Sequence, residues 1–454
     1  MKNIYFIGIG GIGMSALARY FLHEGRRVAG YDRTPSPITE ALVKEGAEIH
    51  YEDNTESIGA DWRNAAETVV VYTPAVPSDM SELKFFREGG FEVLKRSEML
   101  GHLTEGKFVT AIAGTHGKTT TTTLTAWITR AANGSGSAFL GGISKNFGSN
   151  LVLGKGYRMA VEADEFDRSF LRLHPKVAVV TSADADHLDI YGTVEELKKA
   201  FVGFISQIEP MGTLIIKKGV DLKFSFNHFK TYTYSLEDTA ADFHAENLTA
   251  GDDGRFGFDI VCPDRTIEGC RLGVGGKINV ENAVAAVAAL WAAGWYDEHK
   301  LKEGLASFEG VKRRFECYIN SPRQVYIDDY AHHPNELRAA ISSIRGMFPG
   351  RKLTAVFQPH LYTRTRDFHK DFAKALTEAD EVFLLPIYPA REEPIAGIDS
   401  ELIASGVKKP CRVVAKADIA SALSAADTDV VVTFGAGDID KECTAIAEAL
   451  EAKA

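Results

Sequence analysis

The chain has little cysteine, no basic block and no long apolar run. Its five cysteines (Cys262, Cys270, Cys317, Cys411 and Cys443) are scattered, odd in number and without the paired spacing of a zinc site. That excludes a disulfide scaffold and a zinc finger, and it reads as reduced thiols in a cytoplasmic protein. Lysine and arginine total 51 against 62 aspartate and glutamate, a formal net charge of −11. With no cluster of positive charge, nucleic acid is not an expected partner. No apolar run reaches the roughly 20 residues of a membrane-spanning helix, so no membrane insertion is expected. The apolar N-terminal stretch is short and breaks at glycines, which makes it a first strand rather than a targeting segment. Heptads, low-complexity tracts and short repeats are missing too. What is left is ordinary globular composition, 45% hydrophobic and 25% charged, in a 454-residue length that suits about three domains.

The most informative stretch is Ala113-Gly114-Thr115-His116-Gly117-Lys118-Thr119-Thr120. It follows the apolar run 108–113, which reads as a buried strand, and precedes 121–132, whose small and apolar residues suit a helix. Strand, glycine loop, lysine, threonine and helix together make a phosphate cradle. The glycines let backbone N–H groups face an anion, and the helix start adds its positive dipole end. In such a loop Lys118 pairs with the outer phosphates and the Thr119 hydroxyl ligates Mg²⁺. Gly114 and Gly117 are three apart rather than five, so this is a shortened form of the P-loop. ATP and Mg²⁺ are the cofactors it predicts.

Alternating strand and helix patterns predict an α/β chain of three segments, each built on a mainly parallel sheet. The first opens with a strand at 4–8, then Gly8-x-Gly10-x-x-Gly13, an apolar helix over 14–21 and a strand ending at Asp32. That βαβ start carries the dinucleotide fingerprint, with Asp32 at the expected distance, and fits any nucleotide diphosphate. A further buried strand, 68–73, is ended by Pro74, and the segment closes by 95–103. The second segment adds strands at 159–162, 177–181 and 213–217 and a helix over 194–208. The stretch 230–274 reads as short antiparallel strands, and 280–293 as a helix. The third segment has strand candidates at 324–327, 353–357, 381–385, 411–414 and 430–434. Domains are expected at 1–105, 106–311 and 312–454: Rossmann-like, P-loop-like and Rossmann-like in turn.

Several polar clusters sit at strand ends. Glu162, Ala163, Asp164, Glu165 and Asp167 follow one strand of the second segment, where carboxylates are placed to hold Mg²⁺. Asp184, Asp186, His187 and Asp189 follow the next. In the third segment, 328–334 (Asp-Asp-Tyr-Ala-His-His-Pro) ends one strand, and 358–366, with Arg364 and Arg366, ends another. Arginine suits a planar carboxylate or phosphate partner.

Taken as a set and in this order, these stretches resemble the Mur ligases of peptidoglycan synthesis. The matching residues are Gly8-Ile9-Gly10-Gly11-Ile12-Gly13-Met14-Ser15, 113–120, 162–165, Asp186-His187, 279–283, 310–315, 328–334, 358–367 and 435–439. The resemblance implies a first domain for a UDP-sugar, a second for ATP and a third that brings an amino acid. It implies Gly114, Thr115, His116, Gly117, Lys118, Thr119, Thr120, Asn282, Arg314 and Asp329 at the ATP. It implies Gly10, Gly11, Ile12, Gly13, Met14, Ser15, Asp32 and Thr73 at the UDP-sugar. Thr119, Glu162 and His187 would hold the metal. Lys118, Glu162, His187, His332 and Arg364 would carry the chemistry, with His332 and Arg364 near the incoming amino acid.

Within that family the resemblance is strongest to the member that joins L-alanine to the carboxylate of UDP-N-acetylmuramate, acting as a cytoplasmic monomer or dimer. Its chemistry needs an acyl phosphate, because a free carboxylate is a poor electrophile. Two departures stand out: Ile278 replaces the His before Asn279, and Leu361 replaces the Arg after Gln358-Pro359-His360. Lys198 and Lys199 lie near the position where sister ligases carbamylate a lysine. Competing readings are a ligase that attaches a recycled peptide to UDP-N-acetylmuramate, an NAD-dependent oxidoreductase resting on the first glycine loop, and a non-catalytic nucleotide-binding switch.

Overall fold

A computed structural model of the chain describes residues 2–133, 135–184, 188–251, 254–295, 297–390 and 392–453. The chain divides into two compact units. One holds 1–244, 260–267 and 282–305; the other holds 245–259, 268–281 and 306–454.

The first unit contains two sheets. The N-terminal one is all parallel: β1 (Asn3–Ile7), β2 (Val28–Tyr31), β3 (Glu48–His50), β4 (Thr68–Tyr72) and β5 (Glu92–Lys95), in the order β3-β2-β1-β4-β5. β1 and β4 are nearly continuous buried runs, as parallel strands covered on both faces must be. β3 and β5 are short, half-exposed edges with no apolar run to announce them. Strand order reverses between β1 and β4, so a crevice opens at their C-terminal ends. The glycine loop after β1 lies there and leads into the helix Ile12–His23.

The central sheet comprises β6 (Phe108–Ala113), β7 (Ser137–Ser144), β8 (Ser149–Val152), β9 (Arg158–Glu162), β10 (Val177–Val180), β11 (Thr213–Lys217) and β12 (Lys230–Tyr234). Their order is β12-β11-β10-β6-β9-β7-β8, and β8 is its antiparallel edge. β6 is therefore central, with β9 and β10 beside it, and all three end at one edge of the sheet. The expectation that antiparallel pairing starts at Lys230 is corrected: β12 pairs parallel with β11, Thr213 opposite Lys230. Its short polar alternation reflects a sheet edge rather than a change of direction. The helix Val194–Ser206, capped by the Thr193 side chain, buries Leu197, Phe201, Phe204 and Ile205. The helix after β6 begins at Lys118, earlier than expected. Its threonines tolerate helix because Thr122, Thr123, Thr125 and Thr129 donate their hydroxyls to carbonyls four residues back.

β13 (His244–Ala250), β14 (Arg255–Cys262) and β15 (Arg265–Gly275) form a three-stranded sheet in that order. The second unit carries β16 (Glu316–Asn320), β17 (Val325–Asp329), β18 (Leu353–Phe357), β19 (Glu381–Leu384), β20 (Cys411–Val413) and β21 (Val430–Phe434), in the order β16-β17-β21-β18-β19-β20. Only β16 runs antiparallel, along the β17 edge. The α/β class and the mainly parallel sheets are as the sequence predicts. Among the described residues, no helix is long and apolar enough to cross a membrane.

Candidate active site

The loop after β6 is closed tightly from above and below. Gly114 has φ +138°, and a Cβ there would collide with Thr181 Oγ1. Gly117 has φ +79°, and its Cβ would lie 2.7 Å from Asn282 Oδ1. Only glycine meets both demands. The strand end after β10 holds the loop: Ser182 Oγ accepts from His116 N at 2.8 Å and lies 2.9 Å from Thr115 Oγ1. His116 faces the Asp184 carboxylate at 3.3 Å. Thr121 donates its hydroxyl to Asn282, which brings that residue beside the loop.

Lys118 starts the helix. Its ammonium donates to the Gly114 carbonyl at 2.6 Å and to Glu165 Oε1 at 2.8 Å. Burial works against the charge, but Glu165, Asp164 and Glu162 outweigh it, so Lys118 titrates above an ordinary lysine. Thr119 donates its hydroxyl to Glu162 Oε1 at 3.1 Å, and the other oxygen of Glu162 accepts from Gly141 N at 3.0 Å. Thr120 is buried in the helix's first turn. An ammonium, a hydroxyl and two carboxylates thus meet at the ends of β6 and β9. These are the ligands of hard cations and the partners of phosphates. His187 and Asp186 lie outside the described residues.

The first glycine loop is arranged differently. Gly8 has φ +85°, with Thr73 packed against it, and Gly10 N donates to Asp32 Oδ2 at 2.7 Å. Asp32 therefore braces the loop itself. Ile12, the first residue of the helix, offers its carbonyl to Ser15 Oγ and Asn150 Nδ2. Met14 is buried, and the Ser15 hydroxyl is taken up by the Ile12 carbonyl and Asn150. At this helix start the chain presents mainly backbone: Gly11 is the N-cap, with no side-chain cap and no acid in the first turn. Arg96 lies beside Gly13, and its guanidinium also reaches Asp164 at 3.2 Å.

In the second unit, Asp329 is buried at the end of β17. Its two oxygens accept from Phe315 N and Ala331 N, each at 2.9 Å. Burial pushes its carboxyl up to about 6, against the pull of Arg314 and these amides. Arg314 stacks on the Tyr330 ring, 5.0 Å from its centre. His332 Nδ1 lies 3.0 Å from the Tyr330 carbonyl, and its ring sits 6.1 Å from that of His360. Arg364 is half-buried in the first turn of the helix Tyr362–Leu376. Leu361 precedes that helix at φ +71°, an uncommon conformation for a branched residue. Lys198 is ion-paired with Asp221 at 2.6 Å and lines a cleft shared with Ser182 and Asp184, whereas Lys199, paired with Glu196 at 2.6 Å, is exposed.

Ser182, Gly141 and Arg96 carry no signal in the sequence, and Glu165 is marked only as one of an acidic run, 162–167. Which carboxylate meets Lys118 depends on how the chain turns after β9.

Three family models match in chain order: "Mur ligase family, catalytic domain" over residues 3–108, "Mur ligase middle domain" over 112–290, and "Mur ligase, glutamate ligase domain" over 313–437. A UDP-N-acetylmuramate–L-alanine ligase of Phocaeicola vulgatus is 52% identical over 447 residues, 97% of this chain and 96% of that protein. The chain belongs to the Mur ligase family. Among solved structures, the UDP-N-acetylmuramate–alanine ligase of Thermotoga maritima is similar over the whole of both chains, with 27% identity and a TM-score of 0.83. A murein peptide ligase of Psychrobacter arcticus shares the fold at a TM-score of 0.70 and 22% identity, covering 99% of each chain. Family membership makes the chain an ATP-dependent, amide-bond-forming ligase. It leaves the oxidoreductase reading without a role.

Proposed function

We propose that the chain joins L-alanine to the carboxylate of UDP-N-acetylmuramate through an acyl phosphate, releasing ADP and phosphate, in peptidoglycan precursor synthesis. The observation that carries this is the 52% identity, end to end, with a ligase named for that reaction. The junction of Lys118, Thr119, Glu162 and Glu165 supports it, because the first step asks for neutralised charge rather than covalent help. Domains 1–105, 106–311 and 312–454 would take the UDP-sugar, ATP and the amino acid, in a cytoplasmic enzyme.

The donor set at Thr119 and Glu162 is oxygen from a hydroxyl and a carboxylate, which fits Mg²⁺, and His187 would complete it. When bound, that ion would offset the negative charge shared by the β- and γ-phosphates. Lys118 exchanges Glu165 for a phosphate oxygen. The loop amides between Gly114 and Lys118 hold the phosphates in line. The backbone at Gly10 to Gly13 takes the UDP diphosphate. His332 removes a proton from the alanine amine, since an imidazole titrates near neutrality, and Arg364 pairs with the alanine carboxylate.

The test is phosphate release from ATP with UDP-N-acetylmuramate and a panel of amino acids and short peptides. Release with L-alanine, and weaker release with glycine or serine, is expected. Release only with a peptide acceptor would move the assignment to peptide recycling. ATP binding without release in any combination would make the chain a nucleotide-binding switch.

A further inference from the structure

The turn Val311-Lys312-Arg313-Arg314 closes with Arg314 N on the Val311 carbonyl at 3.1 Å. Its third residue has φ +62°, where such turns ordinarily place glycine. The residue there is Arg313, and two positions later Phe315 is left-handed as well, at φ +51°. A side chain kept where glycine is easier needs a reason. Arg313 supplies three. Its Nε donates to Asp328 Oδ2 at 3.2 Å, Nη1 to the Gly437 carbonyl at 3.0 Å and Nη2 to the Gly435 carbonyl at 2.5 Å.

Asp328 is itself fully buried and accepts from Thr433 Oγ1 at 2.6 Å. The main chain of the turn is tied as tightly. Arg313 N donates to Glu316 Oε2 at 2.8 Å, the Arg313 carbonyl accepts from Tyr330 N at 2.7 Å, and Phe315 N donates to Asp329. The neighbouring aspartates thus divide the work: Asp328 holds the guanidinium and Asp329 holds the backbone. Arg314, between them, is laid over Tyr330.

We propose that Arg313 and Asp328 are positioning residues for the nucleotide: their buried pair sets the left-handed turn that presents Arg314 and braces Asp329. This rests on the reading that Arg314 and Asp329 lie at the ATP. Three variants separate the possibilities: Arg313→Gly suits the backbone but loses the fork, Arg313→Lys keeps the charge, and Asp328→Asn keeps the shape.

ATP affinity is measured by calorimetry on the full-length protein, beside the KM of each substrate and the melting temperature. Arg313→Gly is expected to weaken ATP about tenfold or more, Asp328→Asn in the same direction, and Arg313→Lys by less, while the KM of the other substrates moves less than about twofold. Unchanged ATP affinity in both Arg313→Gly and Asp328→Asn, or a uniform loss that tracks the fall in folded protein, would overturn the proposal. Arg314→Ala, run alongside, tests the underlying reading alone. If it binds ATP normally, the nucleotide does not reach this turn. If it binds weakly while Arg313→Gly binds normally, only the positioning role falls.

Discussion

The first unit contains two glycine loops of the same outline, strand to loop to helix, and they solve different problems. The loop after β1 is braced by one aspartate on Gly10 N and presents backbone at its helix start. The loop after β6 carries in addition an ammonium and a ring of carboxylates, Lys118 against Glu165 and Thr119 against Glu162. A diphosphate that keeps its charge through a reaction needs only a cradle. A triphosphate that changes charge needs groups able to follow it. On the proposed function, the difference between the loops is the difference between holding and reacting.

The sharpest break in this comparison is Lys118→Ala. Phosphate release should fall at least about 10³-fold. The variant should also lose stability, because buried Glu165 is left facing no ammonium. Adding Glu165→Gln should restore the melting temperature but not turnover. Activity within a few fold of wild type would remove Lys118 from the chemistry.

The next test concerns the glycines. Gly114→Ala forces a methyl into Thr181 at a φ alanine avoids, for a loss of about 3 kcal/mol in chemical unfolding. Gly11 has φ −61°, and a methyl there would make only ordinary van der Waals contacts, the nearest at 3.5 Å, so Gly11→Ala should cost less than about 1 kcal/mol. Equal losses at the two sites would end the idea that the second loop is the tighter one.

How much of this could be read from the chain alone follows from what was local. Gly8 to Gly13 and Gly114 to Thr120 follow buried strands and declare themselves by spacing, and β1, β4, β6 and β10 are continuous apolar runs. β3, β5 and β8 are sheet edges with short or mixed patterns, and β7, inside its sheet, has its apolar run broken by Gly141 and Gly142, so none of the four is legible as a strand. The site behaved likewise. Lys118 and Thr119 are written in one motif, whereas Ser182 under the loop and Arg96 beside Gly13 arrive from other strand ends, about 66 and 83 residues away in sequence.

Buried acids mark a third contrast. Glu165 is buried beside the Lys118 ammonium at the loop. Glu82, behind the N-terminal sheet, takes a hydrogen bond from Tyr5 at 2.8 Å, and burial pushes its carboxyl up to about 8 from 4.5. The folded protein keeps that proton between these values while the unfolded chain releases it, so stability falls as pH rises from 4.5 to about 8. Glu82→Gln should flatten this slope and add about 3 kcal/mol at pH 8, read from melting temperature against pH. An unaltered slope would assign the dependence to other groups. A smaller effect than at Glu82 is expected at Asp32→Asn, which keeps shape but weakens the bond to Gly10 N. Binding of the UDP-sugar should loosen about tenfold and ATP binding should not change.

The contact between Lys118 and Glu165 has one more consequence. On the proposed function, Glu165 would act as a placeholder that keeps the ammonium aimed and gives it up to a phosphate oxygen as the reaction begins. Substitutions that tighten this grip should give a hardier but slower enzyme, and those that loosen it a quicker, more fragile one. Robustness and speed are set against each other at a single carboxylate.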